Sequence, residues 1–142
     1  MKTFFVVFSI LIFSSTAVSQ PYWEQVMTTP HYINSITESS SGKILATDYT
    51  GVLYSSVDAG DSWSAHDFGP AFLISYIGAN TNGDIYIAFR YYGLYKSTDD
   101  GISWNPVPSF PSGLTLSSVA FNASGHIFVS SLGYTGAFRS TD

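Results

Sequence analysis

The feature that most constrains this chain is a repeat of about 41 residues. Three segments align: GKILATDYTGVLYSSVDAGDSW at Gly42–Trp63, GDIYIAFRYYGLYKSTDDGISW at Gly83–Trp104, and GHIFVSSLGYTGAFRSTD at Gly125–Asp142. Gly42 and Gly83 are 41 residues apart, and Gly83 and Gly125 are 42 apart. Trp23, Trp63 and Trp104 follow the same beat at 40 and 41. A chain built this way makes like units that bury their apolar faces against one another. It has the material to do so, with 45% hydrophobic and 17% aromatic residues.

Each unit reads as four short strands. Runs rich in Ile, Val, Tyr and Phe are punctuated by Gly, Asn, Asp or Pro, and no run keeps a helical period. First strands are expected at Tyr32–Thr37, Ile74–Gly78 and Ser117–Phe121; second strands at Lys43–Thr47, Asp84–Phe89 and His126–Ser130. Third strands are expected at Val52–Ser56, Gly93–Ser97 and Gly136–Ser140; fourth strands at Trp63–His66 and Trp104–Val107, with a lone one at Trp23–Val26. Four strands in a period near 40 to 45 make a β-propeller blade. The reading is an all-β chain of twelve strands, equivalent to three blades. Propellers use at least four blades, so three form an incomplete ring. Two completions are open: further blades of a larger propeller of which this is a fragment, or self-association of two chains into a six-bladed ring.

Residues 1–19 read as an export signal. Lys2 precedes an apolar run from Phe4 to Phe13, and Ala17 and Ser19 supply the small-x-small pattern for cleavage after Ser19. The run is shorter than the ~20 residues a membrane span needs. The mature chain, 20–142, is therefore expected to be secreted or periplasmic. The sequence has no cysteine, which suits a bacterial exported protein better than a small disulfide-stapled extracellular domain.

Two octets, Ser56-Val57-Asp58-Ala59-Gly60-Asp61-Ser62-Trp63 and Ser97-Thr98-Asp99-Asp100-Gly101-Ile102-Ser103-Trp104, share the pattern S-x-D-x-G-x-S-W, and Ser140-Thr141-Asp142 begins a third. Each falls between a third and a fourth strand. The Asp and Ser side chains suit turn hydrogen bonds, Gly60 and Gly101 permit positive φ, and Trp63 and Trp104 open the next strand. The pattern resembles the Asp-box, or BNR repeat, of sialidases, sortilin-type receptors, xyloglucan-degrading glycoside hydrolases and photosystem II stability-factor-like propellers. The resemblance implies the blade fold over 22–142. It also implies that Asp58 and Asp99 are turn residues rather than catalytic acids, since a shared fold does not assign a function.

Chemistry is harder to find. Five Lys and Arg against ten Asp and Glu give a net charge of −5, which disfavours nucleic-acid binding. A sialidase would need an arginine cluster, and only Arg90 and Arg139 are present. No paired-carboxylate motif supports another glycoside hydrolase. His31, His66 and His126 are isolated, so no metal site or cofactor is expected. One loop, between strands two and three, repeats an aromatic: Asp48-Tyr49-Thr50-Gly51, Arg90-Tyr91-Tyr92-Gly93 and Gly133-Tyr134-Thr135-Gly136. It lies on the face opposite the Asp-box turns. Asp48, Tyr49, Arg90, Tyr91 and Tyr134 are the candidate contacts for a protein or glycan. The expected function is a secreted, non-catalytic binding module; the alternative is a fragment of a secreted glycoside hydrolase whose catalytic residues lie elsewhere.

Overall fold

Three hairpins of one design set the register. In Ser39–Gly42, Asn80–Gly83 and Asn122–Gly125, the glycine N–H donates to the carbonyl of the first turn residue, at 3.0, 3.1 and 3.0 Å. The Asn80 and Asn122 side chains brace their turns by accepting backbone N–H bonds from Asn82, Asp84, Ser124 and His126. The computed structural model describes residues 23–108, 110–111, 113–133 and 136–140.

These hairpins join eleven strands into three antiparallel sheets, each running in sequence order. Sheet one is β1 (Ile33–Glu38), β2 (Ile44–Asp48), β3 (Val52–Ser56) and β4 (Ser64–Asp67). Sheet two is β5 (Ile74–Ala79), β6 (Ile85–Phe89), β7 (Gly93–Ser97) and β8 (Asn105–Pro106). Sheet three is β9 (Thr115–Phe121), β10 (Ile127–Leu132) and β11 (Ala137–Ser140). The described residues contain no helix.

Two expectations need correction. Trp23–Val26 forms no strand among the described residues. A fourth strand needs a third strand beside it, as β4 has β3 and β8 has β7, and residues 23–26 have none. The second fourth strand, expected over Trp104–Val107, shrinks to two residues. Pro106 has no N–H to offer the ladder, so pairing stops there.

The sheets stack through their faces. The first strands lie side by side, β1 against β5 and β5 against β9. The β1–β5 contact is polar: Asn34 Nδ2 donates to the Ile74 carbonyl at 2.7 Å, and Ser35 Oγ exchanges bonds with Ile77 O and N at 3.1 and 3.2 Å. Behind it lie two apolar cores. Leu45, Leu53, Ile74, Ile77, Ile85, Ile87 and Phe89 fill the seam between sheets one and two. Tyr86, Ala88, Leu94, Leu114, Leu116, Val119, Ile127 and Val129 fill the seam between two and three. All five residues of β6 are buried because alternate side chains serve alternate seams.

Candidate functional site

The two Ser-x-Asp-x-Gly-x-Ser-Trp turns are closed the same way. Ser56 Oγ donates to Asp58 Oδ1 at 2.7 Å and accepts the Gly60 N–H at 2.9 Å. Asp58 also accepts the backbone N–H of Ser62 at 2.9 Å and its hydroxyl. The second turn repeats every bond through Ser97, Asp99, Gly101 and Ser103. Led by the Ser62 and Ser103 hydroxyls, these donors bring the carboxyls of Asp58 and Asp99 down to about 2. Both aspartates are exposed, yet their oxygens are engaged within the turn.

Gly60 and Gly101 take the expected positive φ, at 100° and 81°. So do Ala59 and Asp100, at 57° and 59°, which the pattern does not reveal because that position is variable. Asp100 also ties two sheets together, through Lys43 at 3.1 Å and Ser41 at 2.9 Å. Trp63 Nε1 donates to the Gly60 carbonyl at 3.0 Å. Trp104 meets Phe68 edge-on at 6.3 Å across the first seam. Of the third copy, Ser140 ends β11, while Thr141 and Asp142 lie outside the described residues.

The loops between second and third strands gather at the other end. Gly51 shows how tightly: a Cβ there would stand 2.9 Å from the carbonyl oxygens of Gly69 and Phe72, so the loop must carry glycine. Phe72 stacks on Tyr92 at 4.6 Å, and the Arg90 carbonyl accepts the Leu116 N–H at 3.2 Å. Loops of sheets one and two thus meet on one face, beside the start of β9.

That face holds two aromatic groups. On sheet one, Tyr49 stacks on Tyr32 at 4.6 Å and meets His31 edge-on at 5.5 Å. Tyr32, expected to open a first strand, was not among the candidate contacts, and His31 was expected on this face only as part of a connection between blades. On sheet two, the Arg90 guanidinium sits 5.8 Å from the Tyr91 ring centre, and Tyr91 is 61% exposed. Beside it a cleft of about 340 Å³ is walled by Tyr91, Tyr92, Val107, Phe110, Pro111 and Leu114. Tyr134 lies outside the described residues.

Asp48 stands apart from these. It is 0% exposed. Its Oδ1 accepts from Thr50 N at 2.9 Å, Thr50 Oγ1 at 2.8 Å and Val52 N at 3.1 Å, and its Oδ2 from Tyr54 Oη at 3.3 Å. Burial pushes its pKa up, but the bonds from Thr50, Val52 and Tyr54 together outweigh that and hold it below the usual value. Its carboxylate therefore organises its own loop.

The histidines are dispersed. His66 packs on Phe68, and His126 faces Asn122 at 3.3 Å. Among the described residues no three His, Cys, Asp or Glu side chains converge as a metal site would require. No helix among them is long and apolar enough to cross a membrane. Asn122, which begins an Asn-Ala-Ser triplet, spends its side chain on its own hairpin.

No family model matches the sequence, and no curated protein matches it. Solved structures do. YCF48 bound to D1 peptide superposes with a TM-score of 0.62 at 13% identity, over 79% of this chain and 37% of that one. A streptogramin B lyase gives 0.61 at 18% identity, over 80% and 39%. The β-propeller domain of Cps50 (Swd1) from Myceliophteria thermophila gives 0.57 at 17%, over 77% and 37%. The chain thus spans under two fifths of each of these structures. At such identities the likeness bears on architecture alone, and the architecture is that of an all-β stack of β-propeller blades in an incomplete ring.

Proposed function

We propose that this chain is an exported, non-catalytic binding module belonging to a larger Asp-box β-propeller, and that its loop face holds an extended protein segment. Export rests on the leader pattern of residues 1–19. The Asp-box reading rests on two octets in register with matching hydrogen bonds. The observation that carries the binding reading is the cleft beside Arg90, Tyr91 and Tyr92. It offers flat apolar rings with polar tips and one cation, the chemistry that takes a backbone with an acidic or aromatic side chain. A neighbouring propeller structure, YCF48, is described with a bound peptide. Hydrolysis of a glycoside would need two carboxyl groups about 5–10 Å apart across the bond. Asp48, buried in its own turn, is not available as one of them.

The test is a peptide array and a glycan array, each probed with the wild-type chain and with Arg90→Ala/Tyr91→Ala. Peptide binding that weakens roughly tenfold or more in the variant, with its unfolding midpoint unchanged, supports the reading. Peptide binding equal in both chains, or none at all, overturns it. Signal on the glycan array alone replaces the protein ligand with a carbohydrate.

A further inference from the structure

The ladder between β1 and β2 ends with Ile33 opposite Asp48. One step further along both strands stand Tyr32 and Tyr49. They are the next opposed pair, at the open end of the hairpin whose turn is Ser39–Gly42. Their rings stack, with centres 4.6 Å apart and planes inclined by 19°. His31 meets Tyr49 edge-on at 5.5 Å. Tyr32 is 68% exposed and Tyr49 39%, so a reagent in solvent reaches both rings.

The same step in the other sheets is built differently. In sheet two Ile74 faces Phe89, and the next residues are Leu73 and Arg90, where the Arg90 N–H donates to the Leu73 carbonyl at 2.7 Å. In sheet three Thr115 faces Leu132, and the next residues are Leu114 and Gly133. A leucine serves the blade at both places, so the repeat does not explain two phenols in sheet one. The exposed tyrosines of sheet two have other ring neighbours: Tyr92 stacks on Phe72, and Tyr91 lies beside Arg90.

Two phenols held face to face suit one-electron chemistry. We propose that Tyr32 and Tyr49 are a site of oxidative cross-linking, the substrate of a haem-type peroxidase that uses hydrogen peroxide. Each phenol gives up one electron and its hydroxyl proton. The two phenoxyl radicals then pair, and a carbon–carbon bond forms between ring positions ortho to the oxygens. The hydrogens on those carbons move to the oxygens as protons, which restores two phenols. The two electrons and two protons released reduce one hydrogen peroxide to two waters. The product is a dityrosine. It closes residues 32–49 into a covalent loop, in a sequence with no cysteine for a disulfide. Both rings belong to one hairpin, so the inference depends neither on the number of blades nor on the ligand of the cleft beside Arg90. It is scored without a ligand, and either reading can fail alone.

The test exposes the full chain, at low concentration, to a haem peroxidase and hydrogen peroxide. Trypsin cuts after Lys43, between the two tyrosines. The digest should hold a peptide pair joined through Tyr32 and Tyr49, two hydrogens lighter than the separate peptides and carrying dityrosine fluorescence. Its yield should not change on dilution, because the reaction is within one chain. Tyr32→Phe keeps a ring for the stack and removes the phenol. It should abolish this product and leave the urea midpoint of the untreated chain unchanged. The cross-linked wild-type chain should unfold at a higher urea midpoint than the untreated one, because its unfolded state is confined. No product, a product that joins other tyrosines instead, one formed only between chains, an equal yield from Tyr32→Phe, or an unchanged midpoint after cross-linking overturns the proposal.

Discussion

Asp48 and Phe89 hold the same position in consecutive sheets. Asp48 faces Ile33 across its ladder, and Phe89 faces Ile74. Phe89 is enclosed by Phe68, Phe72 and Tyr95, with ring centres 5.1, 5.3 and 5.0 Å away. Asp48 meets Tyr54, the counterpart of Tyr95, through a hydrogen bond at 3.3 Å. The difference follows from what lies opposite. Phe89 faces sheet one across a filled seam. Alternation along β2 turns Asp48 the other way from Leu45, onto the face of sheet one that no described sheet covers. One blade position is thus held by packing inside the stack and by hydrogen bonds at its open face.

Breaking the packed side should cost most. Phe89→Ala removes a ring from a filled seam and should destabilise the chain by about 3–5 kcal/mol, read as a lower urea midpoint. Asp48→Ala removes a shared acceptor and should cost less, about 1–3 kcal/mol, because Thr50 and Val52 lose a buried partner. If Asp48→Ala matched Phe89→Ala, the two positions would not differ in kind.

Acid should act on the hydrogen-bonded turn carboxylates rather than on the packed rings. Asp58 and Asp99 lie at about 2 when folded, against an ordinary 3.8. A lowered folded value means the unfolded chain takes up protons first, so this stabilisation is complete above about pH 4 and is lost as pH falls toward 2. Asp48 and Asp100 are lowered too and act in the same direction. Urea midpoints measured from pH 6 to pH 2 should fall only below about 4. The Asp58→Asn/Asp99→Asn chain should fall less. An equal decline in that chain would locate the acid sensitivity elsewhere.

The smallest effect belongs to the loop face. Tyr91→Ala should shift stability by no more than about 0.5 kcal/mol, since its ring faces solvent and carries no seam. A larger loss would make the ring a packing element and remove it from the binding reading.

Much of the fold was legible because blade chemistry is local. The third strands Val52–Ser56 and Gly93–Ser97 begin and end where their residues say, bounded by a glycine turn and a Ser-x-Asp turn. Trp23–Val26 reads as a strand but forms none among the described residues, because a ladder depends on a neighbour that residue type cannot report. The candidate site was legible in part. The aromatic loops were found by repetition, and those carrying Tyr49 and Tyr92 approach the same connection, 69–72. Asp48 is among the candidate contacts by its place in the loop, although its carboxylate is turned into that loop. Tyr32 was missed as a contact because its run reads as the start of a first strand.

The sequence by itself determined the blade: its period, its strand types, its hairpins and its Asp-Ser turns. Each depends on interactions spanning a few residues. Only the tertiary structure decided which copy of each position is buried and which turn carboxylate links two sheets. Those outcomes depend on what stands across a seam, some forty residues away in the chain, where Asn34 reaches Ile74 and Ser35 reaches Ile77.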